Sequence, residues 1–129
     1  MTNETQIKTL IEDWVKAVNR KDIDAILAHH SSGLVMYDVP FPFQSVGIDA
    51  YRKTWDYFFN WNKDLGFFET KDLHITADEN VAFCFSAMIC KGYDENGKVY
   101  DLDFRLTVGL RKINNQWIII HEHHSIPSK

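Results

Sequence analysis

The sequence has little of several features that define common protein classes. Its 129 residues include only two cysteines, Cys84 and Cys90, without the CxxC spacing of a zinc site, so we expect two buried thiols rather than a disulfide or a metal centre. Lys and Arg number 14 against 18 Asp and Glu, which leaves a net charge of −4 and no basic footprint for nucleic acid. No apolar run is long enough to span a bilayer. The composition therefore predicts neither a nucleic-acid nor a membrane partner.

Signs of a domain boundary are also missing. The chain has no internal repeat, no low-complexity stretch and no Ser/Gly linker, and its length suits one domain, so we expect a single domain over residues 1–129. The polar segment MTNETQIKTL lacks the apolar centre of a signal peptide, which predicts a cytoplasmic protein.

Aromatic residues, in contrast, are abundant. Four Trp, five Tyr and nine Phe make up 14% of the chain. Large rings bury much area at a small cost in conformational entropy, so they suit a chain that encloses a cavity or covers a broad interface.

The first half of the chain is patterned as helices. Apolar residues recur at helical spacing in the first segment, at Ile7, Leu10, Ile11, Trp14 and Val18. Asp22 is placed to cap a second, shorter helix, which we expect to end at Gly33 before a strand over residues 34–38. A third helix is predicted after Gly47, with an aromatic buried side formed by Tyr51, Trp55, Phe58 and Phe59.

From Phe67 onward the apolar period changes to two, which is typical of strands. We expect strands at about residues 67–76, 81–91, 99–112 and 116–126, with turns at Asn96-Gly97 and near Asn114. Helices followed by an antiparallel meander predict an α+β fold.

The alternation predicts which strand faces lie inside. Tyr100, Leu102, Phe104, Leu106, Val108 and Leu110 are apolar and their alternates mostly polar, so the even positions form the core. A two-residue turn at Asn96-Gly97 would add four positions of the preceding strand to that face, namely Phe83, Phe85, Ala87 and Ile89.

The last strand has two possible registers. A three-residue turn at Asn114 would point Ile118, Ile120, Glu122 and His124 inward, whereas a two-residue turn would select Trp117, Ile119, His121 and His123. We favour the first, with Glu122 near Leu106, His124 near Phe104, Arg105 opposite His123 and Thr107 opposite His121. A carboxylate among apolar side chains is then expected to have a raised pKa and to exchange protons with the imidazole.

Several sequence runs resemble one known family. V-M-Y-D-V-P follows the first two helices, G-I-D-A-Y opens the third, and the chain closes with W-I-I-I-H-E-H-H-S-I-P. This order resembles the SnoaL-like branch of the NTF2-like superfamily, among proteins often described as ketosteroid-isomerase-like. The resemblance implies a cone, in which a strongly curved antiparallel sheet wraps around the helices and encloses an apolar pocket, and a homodimer formed through the outer face of the sheet. It does not specify an activity, because the fold hosts several.

The resemblance also implies roles for individual residues. The general base of ketosteroid isomerases lies on the first strand, a position matched here by Asp38 in its D-x-P context. The tyrosine of their oxyanion hole corresponds to Trp14, whose indole N–H can donate one hydrogen bond. Their late-strand acid falls near Thr107 or Val108, a departure that argues against steroid isomerisation itself.

The H-E-H-H run invites a metal interpretation. His121 and His123 would share one strand face, but no third and fourth ligand is evident, so we expect no metal.

These expectations combine into one leading hypothesis, a cofactor-independent isomerase- or cyclase-like enzyme acting on a small hydrophobic carbonyl or polycyclic compound. Asp38 would abstract a proton, His124 and Glu122 would relay it, and Trp14 would donate to the developing oxyanion. The expected binding surface is aromatic and consists of Tyr51, Trp55, Phe59, Phe85 and Phe104.

The alternative is a non-catalytic ligand-binding or dimeric association module. An enzyme is expected to have an open pocket, whereas an association module is expected to have a filled cone. Trp117 is assigned to the outer face and a partner subunit.

Overall fold

A computed structural model describes residues 1–128 of the chain. It contains three helices and seven strands in the order α1 (Asn3–Arg20), α2 (Ile23–Leu27), β1 (His30–Tyr37), β2 (Ser45–Val46), α3 (Ile48–Trp61), β3 (Asn62–Ala77), β4 (Val81–Asp94), β5 (Val99–Asp101), β6 (Phe104–Ile113) and β7 (Gln116–Ser125). Within these residues the helices are too short or too polar to cross a lipid bilayer.

The first two helices begin at side-chain caps. The Thr2 hydroxyl accepts a hydrogen bond from Thr5 N, and the Asp22 carboxylate accepts one from Ala25 N, so each satisfies a backbone donor that the helix leaves free. The buried face of α1 has the predicted spacing and consists of Ile7, Ile11, Trp14, Ala17 and Val18.

The second helix ends earlier than predicted. It stops at Leu27, and β1 begins at His30, so Gly33 lies inside a strand instead of ending a helix. His29 adopts a left-handed conformation with φ 60° between α2 and β1, so the chain turns there and not at Gly33.

All seven strands form one curved, open sheet. Its order is β2-β1-β7-β6-β4-β3, with β5 paired to β4. The pairs are antiparallel except β1 with β7, which run parallel, so the sheet is mixed rather than wholly antiparallel as predicted. Side chains of α1 and α3 pack against the inner face of this sheet in a common apolar core. The predicted α+β cone is confirmed.

The turn between β4 and β5 is one residue longer than predicted. Asp94 N donates to Lys98 O, and the Asp94 carboxylate accepts from the backbone N–H groups of Asn96 and Lys98, which leaves a three-residue loop at positions 95–97. Because one residue of slip exchanges the two faces of a strand, the predicted inner set of β4 is wrong. Ala82, Cys84, Ser86, Met88 and Cys90 are buried, whereas Phe83, Phe85 and Ala87 are exposed and Ile89 is half-buried.

The predicted strand over residues 99–112 is divided into β5 and β6. Leu102 and Asp103 lie between them. The Asp103 carboxylate accepts from Cys90 N at 2.8 Å, where a regular strand would have supplied a backbone acceptor. Apolar positions on both sides of the break keep the predicted even face, with Tyr100, Phe104, Leu106, Val108 and Leu110 buried.

The last strand combines the two predicted registers. Asn114 and Asn115 both have positive φ and form a two-residue turn, so Trp117 and Ile119 face inward and the prediction of a three-residue turn is wrong. An irregularity then occurs where Gly109 pairs with His121 and Leu110 with Ile119, which leaves Ile120 as an extra residue.

This bulge reverses the alternation for the rest of β7. Glu122 and His124 consequently face inward, as predicted. Their partners are displaced from the predicted ones, because Glu122 lies opposite Val108, His124 opposite Leu106, His123 opposite Thr107 and Arg105 opposite Ser125. The assignment of Trp117 to the outer face is wrong, since it is buried and its indole Nε1 donates to Asn3.

Candidate functional site

A cavity of about 270 Å³ lies between the inner face of the sheet and α3. Buried Met36, Trp55, Phe68 and Phe104 form its interior, and exposed Val39, Pro40 and Tyr57 lie at its open side. The remaining lining residues are Asp38, Thr54, Phe58, Trp61, Cys90, Leu102, His124 and Ile126. The wall is therefore mainly aromatic and aliphatic, as in most small-molecule sites.

Two ionisable side chains meet in this apolar wall. Asp38 follows the end of β1 and His124 lies on β7, so the parallel pairing of these strands brings them together. Asp38 Oδ1 lies 3.7 Å from His124 Nδ1, just beyond hydrogen-bond distance. No lysine or arginine lines the cavity in the part of the chain that the structure describes.

Three contacts hold the His124 ring. Its Nε2 donates to Glu122 Oε1 at 2.9 Å, and its ring stacks on Phe104 with centroids 4.8 Å apart. Trp14 packs against it in a T-shaped arrangement, with ring centroids 6.4 Å apart. With Nε2 bonded to Glu122, Nδ1 is the nitrogen that faces Asp38 and the cavity.

Glu122 lies behind His124 and does not line the cavity. Its Oε2 accepts from His30 Nε2 at 2.5 Å and from the Tyr51 hydroxyl at 2.7 Å. Burial alone raises the pKa of this carboxyl, but the hydrogen bonds and positive charges of His124 and His30 outweigh it and lower the pKa to about 2. The expectation of a raised pKa is therefore wrong, because the sequence did not reveal the second imidazole.

His30 and Tyr51 complete this buried network, whereas the sequence predicted Tyr51 as a binding residue and gave no role for His30 in the site. Their rings stack with centroids 4.7 Å apart. Desolvation and the neighbouring charge of Glu122 raise the pKa of Tyr51 well above its usual value, so it remains a neutral donor. The alternation along β1 gives no signal for His30, because the pairing of β1 with β7 shifts register between His30 and Val35.

Trp14 occupies a different position from the one expected. Its indole Nε1 donates to the Tyr51 hydroxyl at 3.1 Å, and Trp14 is not among the lining residues. The proposed contact between Trp14 and a substrate oxygen is therefore contradicted, because its one donor is already used.

The structure divides the expected binding residues into two groups. Trp55 and Phe104 line the cavity. Tyr51 lies behind the wall, and Phe59 stacks on Trp55 with centroids 5.7 Å apart without lining the cavity. Phe85 lies on the outer face of the sheet and stacks on His74, as its corrected strand parity requires.

Two further histidines lie on the outer face. The rings of His121 and His123 both pack on Tyr37 in T-shaped arrangements, and His121 Nδ1 contacts Val35 O at 2.6 Å. Within residues 1–128, no group of three or more His, Cys, Asp or Glu side chains is arranged to hold a metal ion.

Comparison with known proteins identifies a family whose model matches this chain. A family model described as a SnoaL-like domain matches residues 7–129. No match was found among curated proteins.

Solved structures provide a second comparison. An NTF2-like protein of unknown function from Pseudomonas putida KT2440 is 30% identical, with a TM-score of 0.87 over 100% of this chain and 91% of that one. A ketosteroid isomerase-like protein from Erwinia carotovora atroseptica SCRI1043 is 23% identical, with a TM-score of 0.76 over 98% and 100% of the two chains. A candidate calcium/calmodulin-dependent protein kinase II association domain from Xanthomonas campestris is 16% identical, with a TM-score of 0.82 over 100% and 91%. The last two likenesses concern the fold alone.

Proposed function

The chain belongs to the SnoaL-like family of the NTF2-like superfamily, and we propose that it is a cofactor-independent enzyme that moves protons on a small, uncharged carbonyl compound. One observation carries this proposal: the Asp38 carboxylate and His124 Nδ1 lie 3.7 Å apart in the wall of an apolar cavity. Isomerisation, enolisation and aldol-type cyclisation need acid and base groups at such a place.

The cavity wall supports an uncharged substrate. It presents one carboxylate and one imidazole, and no lysine or arginine among the described residues that could pair with an anionic ligand. A volume of about 270 Å³ lies just below the usual range for small-molecule sites, roughly 300–1,000 Å³, so we favour one or two rings over a larger polycyclic compound.

The proposed first step is removal of a proton from the carbon beside the carbonyl. The C–H electron pair moves into the enolate, and the proton passes to the Asp38 carboxylate. Asp38 then returns the proton to another carbon of the enolate, either directly or through His124 Nδ1, which gives an isomer with no change in composition. The likeness to a ketosteroid isomerase-like protein supports this class of reaction without specifying the substrate.

Positive charge for the enolate would come from His124. When its Nδ1 accepts the proton, the imidazolium lies in the cavity wall, and the Glu122 carboxylate stabilises it from behind at Nε2. His124 would thus have the role that the family resemblance implies for Trp14.

The proposal is tested by deuterium exchange into neutral ketones. The native chain should be incubated with 2-tetralone, 1-indanone or cyclohexenone in D₂O, and α-deuteration should be measured by NMR. The rate of α-deuteration should exceed the rate in buffer alone. Asp38→Asn and His124→Gln should each lower the enzymatic rate by at least 100-fold, because general acid–base groups typically contribute 10²–10⁴.

A matched control lies one residue away. His123 is exposed on the outer face, so His123→Gln should retain the native rate. Equal rates for native chain, Asp38→Asn and His124→Gln would contradict the proposed chemistry.

A second function, association through a homodimer, is favoured by the outer face of the sheet. Phe83 and Phe85 stack on each other there, with centroids 6.2 Å apart, and are 46% and 43% exposed. Exposed apolar groups of this kind commonly mark an interface. We propose that a second copy of the chain covers them, and the likeness to an association domain is consistent with such assembly.

A further inference from the structure

His30 is a histidine whose two ring nitrogens both face acceptors. Its side chain is 1% exposed. Nδ1 lies 3.0 Å from the Ala28 carbonyl oxygen, and Nε2 lies 2.5 Å from Glu122 Oε2. The Ala28 carbonyl oxygen cannot donate, and neither can Glu122 in the ionised form that its lowered pKa favours, so both contacts are hydrogen bonds only when both nitrogens carry protons. The geometry therefore specifies an imidazolium.

The ionised form of the buried Glu122 depends on the positive charge of His30. The titratable groups that surround it are His30 on β1, Tyr51 on α3, Cys84 on β4 and His124 on β7. Tyr51 and Cys84 are neutral at ordinary pH, because burial raises the pKa of both. Among these groups, His30 lies wholly behind the cavity wall, and as an imidazolium it offsets the cost of burying the carboxylate.

The charge of Glu122 in turn decides the form of His124. An ionised Glu122 can only accept, so His124 donates through Nε2; in the neutral ring the lone pair is then on Nδ1, beside Asp38. A protonated Glu122 would instead donate to Nε2, and the ring proton would move to Nδ1. In that form, His124 could not accept a proton from the cavity side.

We propose that His30 is a positioning residue, which as a buried imidazolium keeps Glu122 ionised and thereby holds the Nδ1 lone pair of His124 toward the cavity. The effect reaches the cavity through two hydrogen bonds and needs no contact between His30 and substrate. Its catalytic consequence rests on the proposed function, but the protonation states themselves do not.

The direct test is NMR of the native chain labelled with ¹⁵N and ¹³C, without any substrate. At pH 7, two-bond ¹H–¹⁵N spectra should show both His30 nitrogens protonated and His124 protonated at Nε2 alone. A neutral His30, or a His124 proton at Nδ1, would overturn the inference.

Variants separate positioning from simple structural support. His30→Gln keeps a donor but removes the charge, so the ¹³Cδ resonance of Glu122 should titrate at least one pH unit higher than in the native chain, a tenfold change in proton affinity. Tyr51→Phe removes a neutral donor and should produce a smaller change in the same direction. The matched control is His29→Asn, at an exposed neighbour, which should leave the titration unchanged.

An unchanged Glu122 titration in folded His30→Gln would overturn the proposal. If that variant does not fold, the spectra of the native chain still decide the matter, because the imidazolium is observed directly. Failure of the proposed function would look different: the predicted protonation states would be found, yet no ketone would exchange.

Discussion

Glu122 couples the candidate site to the stability of the fold, because its buried carboxylate accepts hydrogen bonds from His30, Tyr51 and His124. In the folded chain the pKa of Glu122 is lowered from the ordinary value of 4.5 to about 2. A lowered pKa in the folded state means that the unfolded chain binds the proton first. The stabilisation is therefore complete above pH 4.5 and is lost as the pH falls toward 2.

This dependence predicts a specific difference between the native chain and Glu122→Gln. The free energy of unfolding of the native chain should exceed that of the variant at pH 5, and the gap should shrink by on the order of 3 kcal/mol by pH 2. Urea unfolding at a series of pH values measures both curves. Parallel curves would show that the Glu122 charge contributes no pH-dependent stability.

At the scale of elements, the pairing of β3 with β4 depends on close backbone approach at Gly92. A Cβ added there would lie 2.3 Å from Asp64 O and 2.8 Å from the Tyr100 hydroxyl, which itself donates to Asn62. Real Cβ atoms do not approach a carbonyl so closely, so the two strands would have to separate.

Gly92→Ala should accordingly lower the free energy of unfolding by about 2–3 kcal/mol, as overpacked sites do. Gly33→Ala is the matched control, because an added Cβ on that exposed strand residue meets nothing within 4 Å. Its effect should stay within about 0.5 kcal/mol. Chemical denaturation compares the pair, and equal stabilities would refute the close-approach argument.

The strands also illustrate what the sequence could and could not predict. Period-two patterning identified the inner face of β6 correctly, because Phe104, Leu106, Val108 and Leu110 alternate with polar residues. It failed for β4, where both faces carry apolar side chains and only the loop length decides between Cys84 and Phe85. The Asp94 carboxylate sets the loop length by accepting hydrogen bonds from the backbone of the loop. The alternation of apolar and polar residues does not reveal these hydrogen bonds.

The bulge in β7 could not be predicted from the residue pattern either. Ile118, Ile119 and Ile120 are chemically equivalent, so nothing in their pattern indicates which one is the extra residue. Asp38 and His124 could still be connected beforehand, through the family resemblance and the assumed inward register. The link from Asp38 and His124 to His30 could not be predicted, because it depends on the parallel pairing of β1 with β7, which are far apart in the sequence.

At the scale of the whole molecule, the aromatic residues serve both faces of one sheet. Trp55, Phe68 and Phe104 lie toward the cavity, whereas Phe83 and Phe85 lie outside. If a second copy covers the outer pair, Phe85→Glu should shift the chain from dimer to monomer in sedimentation velocity. Thr107→Ser, a mild change on the neighbouring strand, should leave the dimer intact. A monomeric native chain at micromolar concentration would contradict the proposed association.

The central claim is that Asp38 and His124 act together as one acid–base unit in the cavity. Its most direct measurement is the rate of α-deuteration of the most reactive ketone by the native chain, Asp38→Asn, His124→Gln and the double variant. Groups that act as a unit give non-additive losses, so the double variant should be no slower than the slower single variant, at least 100-fold below the native chain. Losses that multiply in the double variant, or native rates in either single variant, would contradict the account.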